Sequence, residues 1–309
     1  MDNVVDIQIA TELNLSKEGI RTRLENEIHR DEDVMEALFQ ASQALYRWKV
    51  KEGIDLGEEW CLVVHEAMLI IMALDERQEL LSAVAGQLTY LFEHLDKEDA
   101  IRVANRALVV MSDADMFGLD HVEYDIEDMS GAIEHVEHYY IINPWEIGEA
   151  TSKLIKRSMY LPPMLCKPMK LTHNRSNPRL TGEGKSLILG KFNHHDGDIC
   201  LDTLNIANSV AMSMNVDMLR NIKESILIPL ELQLKLKSDP KRKQQYDKFM
   251  SDTSDVYAYL VKNGNRFYLT HKPDKRGRKY AQGYHATTQG DAFRKSSVDL
   301  YHKEIVDGF

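Results

Sequence analysis

The chain has 309 residues, of which 43% are hydrophobic and 28% are charged, a globular composition sufficient for one large or two modest domains. No apolar run reaches the roughly 18 residues that a membrane span needs, and the N-terminus lacks the pattern of a signal peptide. Cys61, Cys166 and Cys200 are too far apart to form a C-x-x-C pair, which argues against a zinc knuckle or disulfide scaffold and favours a reducing compartment.

The net charge of −11 conceals a strong asymmetry between the two halves of the chain. Residues 1–150 carry 33 acidic and 11 basic side chains, a net charge of −22, whereas residues 151–309 have a net charge of +11. A basic region can lie against phosphates, and an acidic region is repelled by them. The asymmetry therefore predicts two regions with different partners, although charge can also vary along a chain without functional meaning.

Helices are predicted throughout the first half. Apolar residues recur at spacings of three and four from Asp31 to Lys51, and a nearly all-apolar run indicates a buried helix from Glu58 to Leu74. Another helix is expected from Glu79 to Leu95, and Asp96 is a typical N-cap for the one after it. The acid-rich stretch 112–129 is expected to be a loop.

The composition changes near Tyr160. Prolines and other helix breakers predict an irregular segment to about Gly197. Helices are expected over 200–222 and 241–261, followed by short strands at 266–271 and 279–285.

The last predicted helix covers residues 291–305.

Together, these elements predict a mainly α fold with some β structure (α+β). It is made of an acidic helical domain over 1–160 and a basic domain over 161–309.

The segment between the two predicted strands, residues 274–278, is termed the basic turn. Lys275, Arg276, Arg278 and the following Lys279 present cations around Gly277, whose lack of a side chain permits a tight backbone. A basic hairpin of this kind suits phosphate oxygens, and the adjacent Tyr280 suits packing on a sugar or base. Asp274 would be repulsive there unless it holds an arginine in place. The alternative is a solvated basic loop.

These residues also carry a resemblance to a known family. Asp274, Gly277, Arg278 and Tyr280 resemble the D-x-x-G-R-x-Y element of the phage and mitochondrial single-subunit RNA polymerases. Four further segments resemble other parts of that family in the same order, so that the resemblance covers Leu161–Phe309. They are the proline segment 162–168, the stretch 201–222, the basic run and helix 238–252, and the Gln289–Gly290 pair with Lys295.

The chain departs from the family pattern in three respects. Lys275 stands where the family usually has an aromatic residue, and segment 171–190 matches the family's glycine-rich segment poorly. The metal-binding aspartates of the family have no counterpart in the matched residues. The resemblance therefore implies the small subunit of a split, heterodimeric podophage RNA polymerase, with thumb-like helices and the first strands of a palm completed by a partner.

The resemblance further implies a division of labour. The larger subunit would hold the catalytic Mg²⁺ ions. This chain would have no catalytic residue or metal site and would instead position template DNA and nascent RNA. A phage single-stranded-DNA-binding protein is a further expected partner, and the compartment would be the cytoplasm of an infected bacterial host, with no membrane partner. The residues expected at the nucleic acid are Lys241, Arg242, Lys243, Asp274, Arg276, Gly277, Arg278, Tyr280 and Lys295.

Other functions remain open at this point. Glu134, His135, Glu137 and His138 have a spacing suited to metal ligands on a helix, and a second polar cluster comprises His194, His195, Asp196 and Asp198. We interpret both as solvated polar segments, with a metal-dependent hydrolase as the alternative. A stand-alone phage DNA-binding transcription-accessory protein is the other alternative.

Overall fold

The computed structural model describes residues 2–54, 56–57, 60–127, 133–190, 193, 195–197, 199–221 and 230–303. It is a mixed α and β structure, 53% helical and 13% strand, which agrees with the expected α+β class. The chain divides into two compact units, Lys17–Lys156 and Met1–Ser16 with Arg157–Phe309. We call the first the acidic unit and the second the basic unit, because their net charges from sequence are −17 and +6.

The acidic unit is built on helices whose apolar faces meet in one core. Asp31 and Asp96 cap two of these helices by accepting backbone amides of the first turn, so the predicted Asp96 cap is confirmed. The fully buried side chains of this core include Leu24, Leu45, Met68 and Leu108. The helices are α2 (Lys17–Arg30), α3 (Glu32–Glu52), α4 (Trp60–Met72), α5 (Leu81–Leu88), which continues as a 3-10 turn (Thr89–Phe92), α6 (Lys97–Ser112) and α7 (Glu149–Met159), the last crossing the division between units.

A three-stranded antiparallel sheet completes the acidic unit. Its strands are β1 (Gln78–Leu80), β2 (Gly118–Glu127) and β3 (Ile133–Ile142), in the order β1-β3-β2. The expectation of a loop over 112–129 is therefore wrong for 118–127. Val122 and Tyr124 alternate with acidic residues, and this two-residue period is typical of a strand, despite the number of acids. The helix expected from Glu79 begins only at Leu81, after β1.

The basic unit combines helices with two small sheets. One sheet has the strand order β5-β4-β8, and the other is the hairpin β6-β7. Met212, Val256, Leu260 and Phe267 are among the buried residues of its main core. The elements are α1 (Asp2–Asn14), α8 (Leu201–Asn208), β4 (Ala211–Met214), α9 (Val216–Asn221), α10 (Leu230–Ser238), α11 (Pro240–Lys262), β5 (Phe267–Tyr268), β6 (His271–Pro273), β7 (Lys279–Ala281), α12 (Ala292–Ser296) and β8 (Val298–Leu300).

Two predicted helices of the basic unit are corrected by the structure. The helix expected over 200–222 is interrupted by β4, which pairs with β5 on one side and β8 on the other. The helix expected over 291–305 ends at Ser296 and is followed by β8; residues after 303 lie outside the described part. Pairing between distant segments overrides the local helical pattern in both cases. The helix predicted over 241–261 is confirmed as α11.

Helix α1 fixes the proline-containing segment of the basic unit. The amide of Leu165 donates to Gln8 Oε1 at 2.8 Å, and the amide and hydroxyl of Thr181 donate to Glu12 Oε2 at 2.7 and 2.9 Å. Glu12 is buried, with 3% of its side chain exposed, and lies 3.9 Å from Arg179. The irregular backbone after residue 160 therefore takes its order from side chains of α1. Across the described residues, no helix is both long and apolar enough to cross a membrane.

Candidate nucleic-acid interface

The basic turn connects the two strands of the β6-β7 hairpin. His271 pairs with Ala281 and Pro273 with Lys279, so both ends of the turn are held in an antiparallel register. The amide of Asp274 donates to the carbonyl of Arg278, and the amide of Gly277 donates to the carbonyl of Asp274, both at 2.9 Å. Gly277 has a φ of +79°, a left-handed conformation that glycine adopts without steric cost. The turn is thus a closed, hydrogen-bonded loop.

Asp274 organises this loop from within. Its Oδ1 atom accepts the amides of Arg276 and Arg278 at 2.9 Å, and its Oδ2 atom accepts Nε of Arg278 at 2.8 Å and Nη2 at 2.7 Å. Partial burial opposes ionisation, but the hydrogen bonds from Arg278 and Arg276 outweigh it and lower the pKa of Asp274 to about 2. The expected pairing of Asp274 with an arginine is present.

The cations of the turn point into solvent. The side chains of Arg276 and Arg278 are 74% and 55% exposed, and Lys275 is exposed as well. The guanidinium carbon of Arg278 lies 5.7 Å from the ring centre of Tyr280, which therefore borders the same surface. Of the five N–H donors of Arg278, two point to Asp274, so the guanidinium can bind a phosphate while the turn stays intact.

Gln289 supports the hairpin from a distant loop. Its Oε1 atom accepts the amide of Ala281 at 2.7 Å, and its Nε2 atom donates to the carbonyl of Lys279 at 2.9 Å. The amide side chain thus pairs with β7 as another strand would. This role of Gln289 was not predicted from the sequence, where it is only part of a matched pair, because nothing local indicates which backbone its side chain reaches.

Lys295 lies on a second element, the short helix α12. Asp291 caps this helix by accepting the amide of Arg294 at 2.8 Å and its Nε at 2.9 Å. Arg294 also lies over Phe249 of α11, with 5.6 Å between the guanidinium carbon and the ring centre. Lys295 itself is exposed, so it presents its ammonium from a helix that is anchored on α11.

Lys241, Arg242 and Lys243 lie on the first turn of α11, and all three are exposed. Asp239 caps this helix by accepting the amide of Arg242 at 3.1 Å, and Lys243 pairs with Asp247 at 3.2 Å. The nine expected residues therefore lie on three elements of the basic unit. The hairpin brings together Asp274, Arg276, Gly277, Arg278 and Tyr280, whereas α11 and α12 carry the other four cations separately.

A cavity of about 490 Å³ adjoins the basic turn. Described residues between Ile188 and Cys200 form one side, and the amide of Leu189 donates to the carbonyl of Pro273 at 2.8 Å. This cavity could not be predicted from the sequence, since its walls come from segments about 80 residues apart. The lining residues are Ile188, Asn193, His195, Ile199, Cys200, Pro273, Asp274, Lys275 and Gly277.

The two polar clusters considered as metal sites, around residues 134–138 and 194–198, do not form one among the described residues. These residues contain no group of three or more His, Cys, Asp or Glu side chains able to hold an ion. The helical spacing considered for residues 134–138 does not apply, because they lie on β3. His135 pairs with Asp125, and His138 contacts Tyr124 on the opposite face of the strands. The side chain of Glu134, together with His194 and Asp198, lies outside the described part.

Comparison of the chain with models of known protein families and with curated proteins gives no match. Function is therefore inferred from the basic turn and the exposed cations of the same unit.

Proposed function

We propose that this chain is the small subunit of a split RNA polymerase of the phage type. In this proposal it positions template DNA and the RNA–DNA hybrid, and a larger partner subunit supplies the carboxylates of nucleotidyl transfer. The observation that carries the proposal is the basic turn, a rigid loop organised by Asp274 that exposes Arg276 and Arg278. The resemblance of the same residues to the D-x-x-G-R-x-Y element supports it.

The geometry of the turn suits contact with a nucleic-acid backbone. Arg278 is held at its Nε and Nη2 atoms by Asp274, so little rotamer freedom remains to be lost when phosphate binds. Outside its chain neighbours, no heavy atom lies within 4 Å of the position a side chain would take at Gly277, so a phosphate can come close to the backbone there. Tyr280 offers a ring face beside the guanidinium for a sugar or base.

Positioning, and not metal chemistry, is the role assigned to this chain. Two-metal phosphoryl transfer requires carboxylates that converge on paired Mg²⁺ ions. Asp274, the carboxylate nearest to the exposed cations of the turn, is engaged by Arg278 and two backbone amides. The Mg²⁺ ions of the proposed reaction therefore belong to the partner subunit.

The proposed enzyme also has expected partners and a cellular compartment. Template DNA and nascent RNA would contact the basic unit, and the larger polymerase subunit would complete the palm. A phage single-stranded-DNA-binding protein would deliver the template, and the reaction would take place in the cytoplasm of an infected bacterial host.

The test is RNA primer extension on a single-stranded DNA template with Mg²⁺. The chain alone should incorporate no nucleotide, and a mixture with the larger subunit should extend the primer. A heterodimer carrying Arg278→Ala should assemble but extend more slowly than one carrying a matched change at exposed Arg47 of the acidic unit. Robust incorporation by the chain free of any partner would contradict the proposal.

A stand-alone DNA-binding transcription-accessory protein is the second candidate. The exposed cations of the turn favour it, since they could bind phosphates without help from another subunit. Co-purification separates the two candidates. An accessory protein should be a stable monomer that binds DNA fully by itself, whereas a polymerase subunit should be recovered with its larger partner.

A further inference from the structure

Strands β2 and β3 form an extended ribbon in the acidic unit, which we call the hairpin arm (residues 118–127 and 133–142). The two strands pair over ten residues, from Gly118 with Ile142 to Glu127 with Ile133. Within the described residues, β1 joins β3 only at Tyr140, Ile141 and Ile142. Most of the arm is therefore a two-stranded ribbon, a structure that is marginally stable in water unless one of its faces is covered.

One face of the arm is mainly apolar and partly exposed. Register places Val122 opposite His138, Tyr124 opposite Val136 and Asp120 opposite Tyr140. Val122 and Tyr124 are 46% and 39% exposed, and Tyr124 packs edge-on against His138 with ring centres 5.0 Å apart. The arm residues that enter the core of the acidic unit, Leu119 and Ile141, lie on the other face at its base.

The other face is rich in carboxylates. Glu123 lies directly opposite Glu137, and like charges in this position destabilise a strand pair. His121 approaches Glu123 at 3.7 Å, and Asp125 pairs with His135. From residue 118 to residue 142 the sequence has seven Asp and Glu residues and no Lys or Arg. The arm itself therefore supplies no permanent cation to balance these carboxylates.

Strand β2 is also an edge strand. In the order β1-β3-β2, its described residues pair with β3 alone. The outer side of an edge strand presents backbone N–H and C=O groups to which a further strand can bind. Residues 121–125 are all exposed, so this edge is accessible.

We propose that β2 accepts an added strand from a partner protein, in which Lys or Arg alternates with apolar residues. Side chains of a strand point alternately to its two faces. An added strand of this pattern would place its apolar residues beside Val122 and Tyr124 and its cations beside Glu123 and Asp125. Main-chain hydrogen bonds would give affinity, and the alternation would give register and specificity.

The negative charge of the arm disfavours two other binding partners at β2. A second copy of the chain would bring two arms with six carboxylates each into contact, and DNA or RNA would bring phosphates to the same surface. Both would be repelled, whereas a basic strand would relieve the repulsion between Glu123 and Glu137. The inference rests on the acidic unit alone and is independent of the role proposed for the basic turn.

The probe for the test is a capped nine-residue peptide of alternating lysine and valine, carrying a fluorophore. We expect the full chain to bind it, with affinity that falls as salt rises, and to show slower amide hydrogen exchange in residues 119–125. A peptide N-methylated at alternate amides on its pairing edge keeps the side chains but loses the strand hydrogen bonds, and a glutamate–valine peptide reverses the charge. Neither should bind; equal binding of the N-methylated peptide, or failure of the lysine peptide, would overturn the proposal.

Variants of the chain test the same idea. Glu123→Gln with Glu137→Gln should weaken peptide binding about threefold, since the exposed ion pair at Glu123 and the weaker, longer-range attraction of Glu137 are lost. The melting temperature should stay constant or rise because a like-charge pair is removed, so the weakening cannot be attributed to unfolding. Glu18→Gln with Glu36→Gln, at exposed positions of α2 and α3, removes the same charge away from the arm; it is the matched control and should leave binding unchanged. An unchanged affinity in the double glutamine variant, or self-association of the chain through β2 in sedimentation, would refute a basic added strand.

Discussion

Asp274 holds Arg278 at both its backbone and its side chain, because one carboxylate accepts the amide of Arg278 at 2.9 Å and its Nε at 2.8 Å. The pair therefore folds the turn and also fixes the direction of an exposed guanidinium. These two effects can be measured separately, because the hydrogen bonds of Asp274 to the backbone remain when the Arg278 side chain is removed.

Under the proposed function, Arg278→Ala should damage RNA extension by the heterodimer more than its assembly. One phosphate contact is lost, so the salt slope of template binding should fall by about one. Arg278→Lys should restore only part of the activity, because an ammonium keeps the charge but not the planar fork. The measurement is template affinity across a salt series, with melting temperature in parallel. A wild-type slope combined with a wild-type extension rate would show that the turn does not touch nucleic acid.

Asp274→Asn should lower the melting temperature and loosen the turn. The pKa of Asp274 is depressed to about 2 in the folded chain, so its carboxylate stabilises the fold fully above about pH 4. That stabilisation should disappear as pH falls towards 2. Melting curves between pH 5 and pH 2 for the wild type and Asp274→Asn should therefore converge at the acidic end. Curves that stay parallel would show that Asp274 does not contribute through its charge.

Gln289→Ala should destabilise the β6-β7 hairpin by about 1 kcal/mol, the usual net value of an exposed hydrogen-bonded pair. Its two hydrogen bonds to Ala281 and Lys279 are lost, and amide exchange at Ala281 should accelerate. Thr288→Ala, an exposed neighbour, is the control. Equal exchange rates in the two variants would show that Gln289 does not stabilise the turn.

His271 should make the basic unit sensitive to mild acid. Burial, and secondarily the charge of Lys279, lowers the pKa of His271 to about 4, so the folded chain keeps this imidazole neutral beside Asn208. The unfolded chain takes up its proton near pH 6.5, so stability is complete above that pH and falls as pH decreases towards 4. The loss should reach at most about 3 kcal/mol. Unfolding in urea at pH 7 and pH 4 measures it, and His271→Gln should show a smaller difference.

Glu12→Ala should destabilise the chain by about 3 kcal/mol, as expected when one member of a buried polar network is removed. Thr181 would lose two hydrogen bonds and Arg179 its neighbouring charge. Glu18→Ala, at an exposed position of α2, should change stability by less than about 0.5 kcal/mol. Equal melting temperatures for the two variants would show that α1 does not order the segment after residue 160.

Features that depend on neighbouring residues could be predicted from the sequence alone. The cap at Asp96, the long helix α11 and the tight turn at Gly277 all follow from local hydrogen bonding, periodicity or backbone freedom. These signals act within a few residues, so they can be read before the chain is folded.

The strands and the supports of the turn depend instead on contacts between segments that are distant in the chain. Met212 and Met214 have a helical pattern around them, yet they lie in β4 because β5 and β8 pair with that segment from about 55 and 85 residues away. Gln289 and the cavity beside Pro273 likewise depend on which distant segments meet. Hydrogen bonds between remote backbones replace local preference wherever they bury polar groups more completely, and no local pattern records which segments will pair.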